Sequence, residues 1–147
     1  MSQEIWAYEL YYDKQNVPEC VIDCTSFKEE YFEEYKRIYN ECFYDMRRAL
    51  DIIPYNWYSQ YSQMVGRTEE IFLLLEECRI IGSVACYGNE IDDLIVEKSH
   101  QNQGYGKQLL LWATNRIRQR SSLEITLHVA EWNRGHYICT KASGLWF

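Results

Sequence analysis

The residue types and spacing best suited to chemistry lie in Leu94-Ile95-Val96-Glu97-Lys98-Ser99-His100-Gln101-Asn102-Gln103-Gly104-Tyr105-Gly106-Lys107. An apolar strand ending at Val96 runs into a polar turn, and the turn runs into Gly-x-Gly at a helix start. Helix starts expose N–H groups that have no intrahelical acceptor, and glycines without a Cβ let a phosphate come close to them. A hydrogen bond to a charged acceptor is worth about 1.5–3 kcal/mol, against about 0.3–1 kcal/mol from the helix dipole. Several N–H groups together outweigh the dipole, so the chemistry this segment suits is the grip of a diphosphate. The glycines alone would equally permit a tight turn with close packing. Two other nucleotide motifs are excluded: no G-x-x-x-x-G-K-[ST] string exists, and the third glycine of G-x-G-x-x-G is replaced by Leu109.

Just upstream, Glu90-Ile91-Asp92-Asp93 supplies three carboxylates at a strand start. Strand alternation places Glu90 and Asp92 on one face and Asp93 on the other. An amine with a pKa near 10.4 is almost wholly protonated at neutral pH, and freeing its lone pair costs about 4.6 kcal/mol. A nearby carboxylate acceptor is useful to any reaction of such an amine. A solvated strand start explains the cluster equally well. His128 and His136 read as plain structural or surface histidines.

The elements that must position these residues follow from periodicity. Ile5 to Tyr12 is rich in β-formers and reads as a strand, and Cys20–Thr25 as a short second one. Ser26-Phe27-Lys28-Glu29 has the S-x-x-E form of a capping box, predicting a helix to about Leu50. Its apolar stripe is Phe32, Tyr35, Tyr39, Cys42, Met46 and Leu50. Pro54 ends it, and Tyr55 to Met64 reads as a short helix whose aromatics roof a cleft or simply pack. Ile71–Leu75, Ile80–Tyr87 and Ile91–Val96 form an antiparallel meander. A helix from Gly104 to Gln119 and a strand from Leu123 to Val129 complete a crossover unit, which makes the flanking strands parallel. Arg134–Ser143 reads as a last helix. The fold class is α+β, a mixed sheet covered by helices.

With 147 residues and no repeat or linker, a single domain over residues 1–147 is expected. The balance of 15 basic against 22 acidic side chains, a formal charge of −7, makes a poor general nucleic-acid binder and suits a cationic substrate better than an anionic one. No stretch approaches the roughly 18 apolar residues that span a bilayer, and the start of the chain does not read as a secretory signal. Six scattered cysteines without C-x-x-C spacing point to reduced thiols, no metal site and a cytoplasmic address.

Gln101-Asn102-Gln103-Gly104-Tyr105-Gly106, following Leu94 and Val96, resembles the [QR]-x-x-G-x-[GA] signature of the GNAT family of N-acetyltransferases. The order of elements from about Ser26 to Phe147 is similar to that family's α/β/α sandwich. The resemblance implies acetyl-CoA as cofactor. Leu94, Ile95 and Val96 would lie along its pantetheine arm, and Gln101 to Lys107 would grip its diphosphate. Asn133 stands where members place an asparagine on the pantetheine arm. It also implies direct attack of a small-molecule or peptide amine on the thioester, with N–H groups near Val96 polarising the carbonyl. Glu90, eleven residues before Gln101, stands where histone-type members carry a glutamate base, and Asp92 shares its face. Thr140 replaces the tyrosine that many relatives use as an acid; Tyr137, one turn earlier, is the substitute. A thiol pKa near 8.5 makes an unprotonated leaving thiolate cost only about 2 kcal/mol at neutral pH. Relatives usually continue into one or two more strands. This sequence stops at Phe147, so either it is truncated, or Cys20–Thr25 or a second subunit in a homodimer covers that edge. The alternative function is a non-catalytic acyl-CoA-binding module.

Overall fold

The fold, taken from a computed structural model that describes residues 7–130 with side chains described from 11 to 127, has six strands and two α-helices. The strands are β1 (Ala7–Tyr12), β2 (Thr25–Ser26), β3 (Ile71–Glu76), β4 (Arg79–Tyr87), β5 (Glu90–Val96) and β6 (Ile125–Ala130). The helices are α1 (Phe32–Ala49) and α2 (Tyr105–Arg120). All six strands form one sheet in the order β1-β6-β5-β4-β3-β2. Only the β5–β6 pair is parallel, as a strand–helix–strand crossover requires. The other neighbours are antiparallel.

Alternation along the strands divides the core into two layers. Ile71, Leu73, Ile80, Ala85 and Ile95 meet Phe32, Tyr35, Ile38 and Tyr39 of α1 on one face. Phe72, Leu74, Ile81, Val84, Ile91 and Leu94 meet Leu109, Leu110, Ala113 and Ile117 of α2 on the other. The result is the helix–sheet–helix sandwich read from the sequence. The α1 stripe holds for its first half, with Ile38 added to it.

Three local expectations fail. Ser26 does not cap a helix, because it pairs with Phe72 in the sheet and Phe27 N–H continues to the Ile71 carbonyl at 3.0 Å. The chain then enters α1 through a 3-10 turn, Glu29–Tyr31, with no side-chain cap. Cys20–Thr25 is not a strand; only Thr25–Ser26 pairs, and it does so on β3, at the edge far from β6. Tyr55–Met64 is irregular apart from a 3-10 turn at Tyr61–Met64. Side chains hold that segment instead: Asn40 donates to the Tyr58 carbonyl (2.8 Å) and accepts from its N–H (3.0 Å).

The outer edge of β6 is covered by β1. Residues 13–24 carry the chain from β1 across α2 to β2 at the opposite edge. Asn115 donates to the Pro18 carbonyl and Gln108 accepts from Val21 N–H. Arg118 donates to the carbonyls of Lys14 (2.8 Å), Tyr12 (3.1 Å), Ser121 (3.3 Å) and Leu123 (2.5 Å), and stacks over the Tyr12 ring. Arg118→Ala strips these carbonyls of a charged donor. The expected loss is about 2–3 kcal/mol, read as a lower melting temperature. Arg118→Lys is expected to recover only part of it, because one ammonium cannot span a fork of carbonyls.

Candidate active site

The parallel pair that the crossover creates does not stay together. β5 and β6 pair only at Glu90–Thr126 and Ile91–Leu127. Beyond Ile91, β5 runs on to Val96 while β6 runs on to Ala130 against β1. The strands part, and main-chain groups that a parallel partner would have satisfied face the gap.

A β-bulge sits at the same place. Ser83 pairs with Ile95 and Ala85 with Asp92, so Val84 of β4 faces both Asp93 and Leu94. Asp93 takes the left-handed conformation the bulge needs (φ 48°), its N–H held by the Asp92 carboxylate at 2.8 Å. The extra residue resets the alternation. Ile91 and Leu94 both reach the α2 layer, and Asp93 is turned to the α1 side, not away from it as strict alternation predicts.

There Tyr39 donates to one Asp93 oxygen (3.3 Å) and Tyr87 to the other (3.4 Å). Burial, reinforced by the neighbouring Asp92 charge, pushes the Asp93 carboxyl up to about 6, outweighing the two tyrosine hydrogen bonds that pull it down. Asp93 is thus ionised at neutral pH yet basic enough to take a proton. Glu90 and Asp92 are the bases that the resemblance leads one to expect. Glu90 lies behind the fork, in the paired segment. Asp92 adjoins Asp93, and its carboxylate is engaged with the bulge N–H. Sequence alternation puts Asp93 on the face opposite Glu90 and Asp92, and only the β4 register reveals the bulge that sets its direction.

Past Val96, the expected loop assembles. Glu97 N–H bonds to the Ile81 carbonyl (2.7 Å), tying the strand end to β4. The Glu97 carboxylate accepts from Ser99 N–H (3.1 Å), the Ser99 hydroxyl and His100 Nδ1 (2.7 Å), and these bonds hold it below the usual carboxyl range. Gln101 donates back to the Val96 carbonyl (3.0 Å), and Gln103 to the Ser99 carbonyl (3.3 Å). Asn102 (φ 63°) and Gly104 (φ 91°) are both left-handed, and Gly104 is the N-cap of α2 without any side-chain cap. The first helical bond is Gln108 N–H to the Gly104 carbonyl (3.2 Å). The N–H groups of Gly104, Tyr105, Gly106 and Lys107 therefore lack helical acceptors. A Cβ built at Gly104 would meet nothing within 4 Å, so the helix mouth is open space able to receive an anion.

The strand end and helix mouth are held together by a close approach at Gly82, which pairs with Val96. A Cβ there would lie 2.7 Å from Leu109 Cδ1 and 2.9 Å from the Ile95 carbonyl oxygen. Gly82→Ala is expected to cost about 1–3 kcal/mol and to shift the end of β5, weakening ligand affinity at the loop as well as lowering the melting temperature.

Leu94 and Ile95 are buried on opposite faces, and half-buried Val96 presents its carbonyl to Gln101 and to the Cys42 thiol (3.3 Å). Asn133, Tyr137, His136 and Thr140 lie outside the described residues, as does the side chain of His128. Burial pushes the Cys42 thiol up to about 11 and those of Cys24 and Cys86 up to about 12, so none of these three is a ready nucleophile. Among the described residues, no helix is long and apolar enough to cross a membrane.

Forked parallel strands, a bulge on one arm and a glycine-opened helix together make a cleft that ends at an anion-receiving helix start. The profile of the Acetyltransferase (GNAT) family matches residues 25–137, and the chain belongs to that family. Its members generally act as acyl-CoA-dependent N-acyltransferases. A GNAT-family acetyltransferase from Colwellia psychrerythraea is similar in structure, with a TM-score of 0.68 at 17% identity over 97% of this chain and 53% of its own. A GNAT-family protein from Novosphingobium aromaticivorans gives 0.60 at 12% identity, over 96% and 59%. A Drosophila protein gives 0.60 at 11%, over 97% and 48%. The chain thus spans about half the length of these solved structures. No curated protein matches it by sequence.

Proposed function

We propose that the protein is an acetyl-CoA-dependent N-acetyltransferase that acts on an amine of a small molecule or peptide by direct attack on the thioester. The observation that carries this reading is Asp93, set by the bulge at the fork of β5 and β6, with the open mouth of α2 at the far end of the same strand. Bound acetyl-CoA would supply the acetyl group as a thioester, open to displacement of the thiol by an amine nitrogen. The N–H groups from Gly104 to Lys107 bind the diphosphate. The parted strands admit the pantetheine arm between them. Asp93 takes the proton that the amine must lose, and Tyr39 and Tyr87 hold the carboxylate in place. The raised thiol of Cys42, although close to Val96, disfavours an acyl-cysteine route and favours direct transfer.

Thiol release from acetyl-CoA, followed across a panel of amines, tests the reading. Turnover with at least one amine is expected. Saturable cofactor binding without turnover on any amine would instead assign the alternative role, a non-catalytic acyl-CoA-binding module.

A further inference from the structure

A cavity of about 480 Å³ opens on the outer side of α2, between that helix and the strap of residues 13–24. Trp112, Asn115 and Arg116 stand on its helix wall, and Cys20, Ile22 and Cys24 on its strap wall. These helix residues belong to the C-terminal half of α2, away from the glycine-opened mouth. Two thiols therefore line one cavity, four positions apart on one strap. Alternation along the strap turns both of them inward with Ile22, and all three pack against the α2 layer of the core. Val21 and Asp23 between them are exposed.

Local bonds hold this stretch of strap in place. The Cys20 thiol donates to the Ile22 carbonyl at 3.5 Å, so the chain bends back over that sulfur. Val21 N–H donates to Gln108 Oε1 (3.0 Å) and anchors the bend to α2. Asp23 Oδ1 accepts from Cys24 N–H (2.9 Å) and from Trp112 Nε1 (3.1 Å), which fixes the other end. Burial first, then the Asp23 carboxylate, then Cys20 and Cys86 push the Cys24 thiol up to about 12. Cys20 is thus near enough to act on Cys24. Among the described residues no three His, Cys, Asp or Glu side chains gather as a metal site. The chemistry that a neighbouring pair of thiols suits is two-electron oxidation.

We propose that Cys20 and Cys24 are a modification site, a dithiol that a small-molecule disulfide oxidises to a bridge along the strap wall of this cavity. With glutathione disulfide as the oxidant, the Cys20 sulfur bonds to one of its sulfurs, the S–S bond breaks, and one glutathione leaves. The Cys24 sulfur then bonds to the Cys20 sulfur and displaces the second glutathione. Two electrons pass from the protein to the oxidant, and the two thiol protons end on the two glutathiones. A thiol raised to about 12 is a slow resolving partner, and the closeness of the two sulfurs on one short strap offsets this. The site is independent of the acetyltransferase reading.

The test treats folded protein with glutathione disulfide at mildly alkaline pH, alkylates the remaining thiols, and weighs the tryptic peptides without reduction. Both cysteines lie in the single peptide Gln15–Lys28. That peptide is expected two hydrogens lighter and free of alkylating agent, and dithiothreitol given before alkylation should restore both thiols. Because the fold already holds the two sulfurs close, the bridge constrains the unfolded chain without straining the native one. The melting temperature should rise by about 3 °C or more on oxidation. In Cys20→Ser the same treatment should leave the melting temperature unchanged. A Gln15–Lys28 peptide that keeps two free thiols, stops at a glutathione adduct, or links instead to the peptide carrying Cys86 overturns the proposal. So does a bridge that forms only in urea, a melting temperature lowered by oxidation, or an equal rise in Cys20→Ser.

Discussion

Asp93→Asn is expected to lower kcat for amine acetylation by about 10²–10³-fold near neutral pH, with coenzyme A affinity unchanged. The substitution keeps the shape and a hydrogen-bonding oxygen for Tyr39 or Tyr87, but removes a carboxyl raised to about 6 at the fork. In the parent protein, activity rises with pH as Asp93 loses its proton near 6; the variant should lose that limb of the profile. Stability moves in the opposite direction. The native carboxyl holds its proton up to about pH 6, while the unfolded chain releases it near the ordinary value of 3.8. Between those values the native state binds the extra proton, so stability falls as pH rises through the window and stays lower above it. Asp93→Asn removes that cost and should stabilise the protein above pH 6 by roughly 1–3 kcal/mol, allowing for partial solvent exposure. A variant that loses activity while gaining thermal stability separates a functional role from a structural one. Unchanged activity would return the role to Glu90 or Asp92.

Gly104→Asp should abolish tight cofactor binding, weakening it by about 10²-fold or more. The position is the N-cap of α2 at φ 91°, open to solvent and flanked by the four unbonded N–H groups. A carboxylate there faces the diphosphate: two charges about 5 Å apart at an effective dielectric of 20 repel by about 3 kcal/mol. Any side chain in the left-handed region adds about 1–2 kcal/mol of strain to the folded state. Gly104→Ala isolates that second effect. Both variants should lose similar thermal stability, and only Gly104→Asp should lose affinity by two orders of magnitude. Equal affinities in the two would show that the helix mouth does not meet the phosphates.

How much of this was legible before the fold was known depends on the range of the interaction. The strands Ile71–Glu76, Arg79–Tyr87 and Glu90–Val96 and the helix Tyr105–Arg120 follow from local periodicity and short turns, and they fall within a residue or two of expectation. The loop from Gln101 to Lys107 was readable because its glycines and polar turn act on their own neighbours. What was missed depends on partners far away in sequence. Ser26 fits a capping box locally, but the sheet edge at Phe72 claims it first. The role of β1 as the cover of β6 requires a pairing between Tyr12 and Ile125 that no local pattern announces. Asp93 is the most instructive case. Its two neighbours in sequence give strict alternation, and one residue of register against Val84 turns it to the other face. Asn133 and Tyr137, read from the resemblance, lie outside the described residues.

Whether main-chain amides at the start of α2 receive paired phosphates is tested most directly by calorimetry with two thioesters. Acetyl-CoA is expected to saturate the protein at one site, while acetyl-pantetheine, which has the same thioester but no diphosphate, binds at least about 10²-fold more weakly. Equal affinity for the two, or no saturation by acetyl-CoA in well-folded protein, would contradict it.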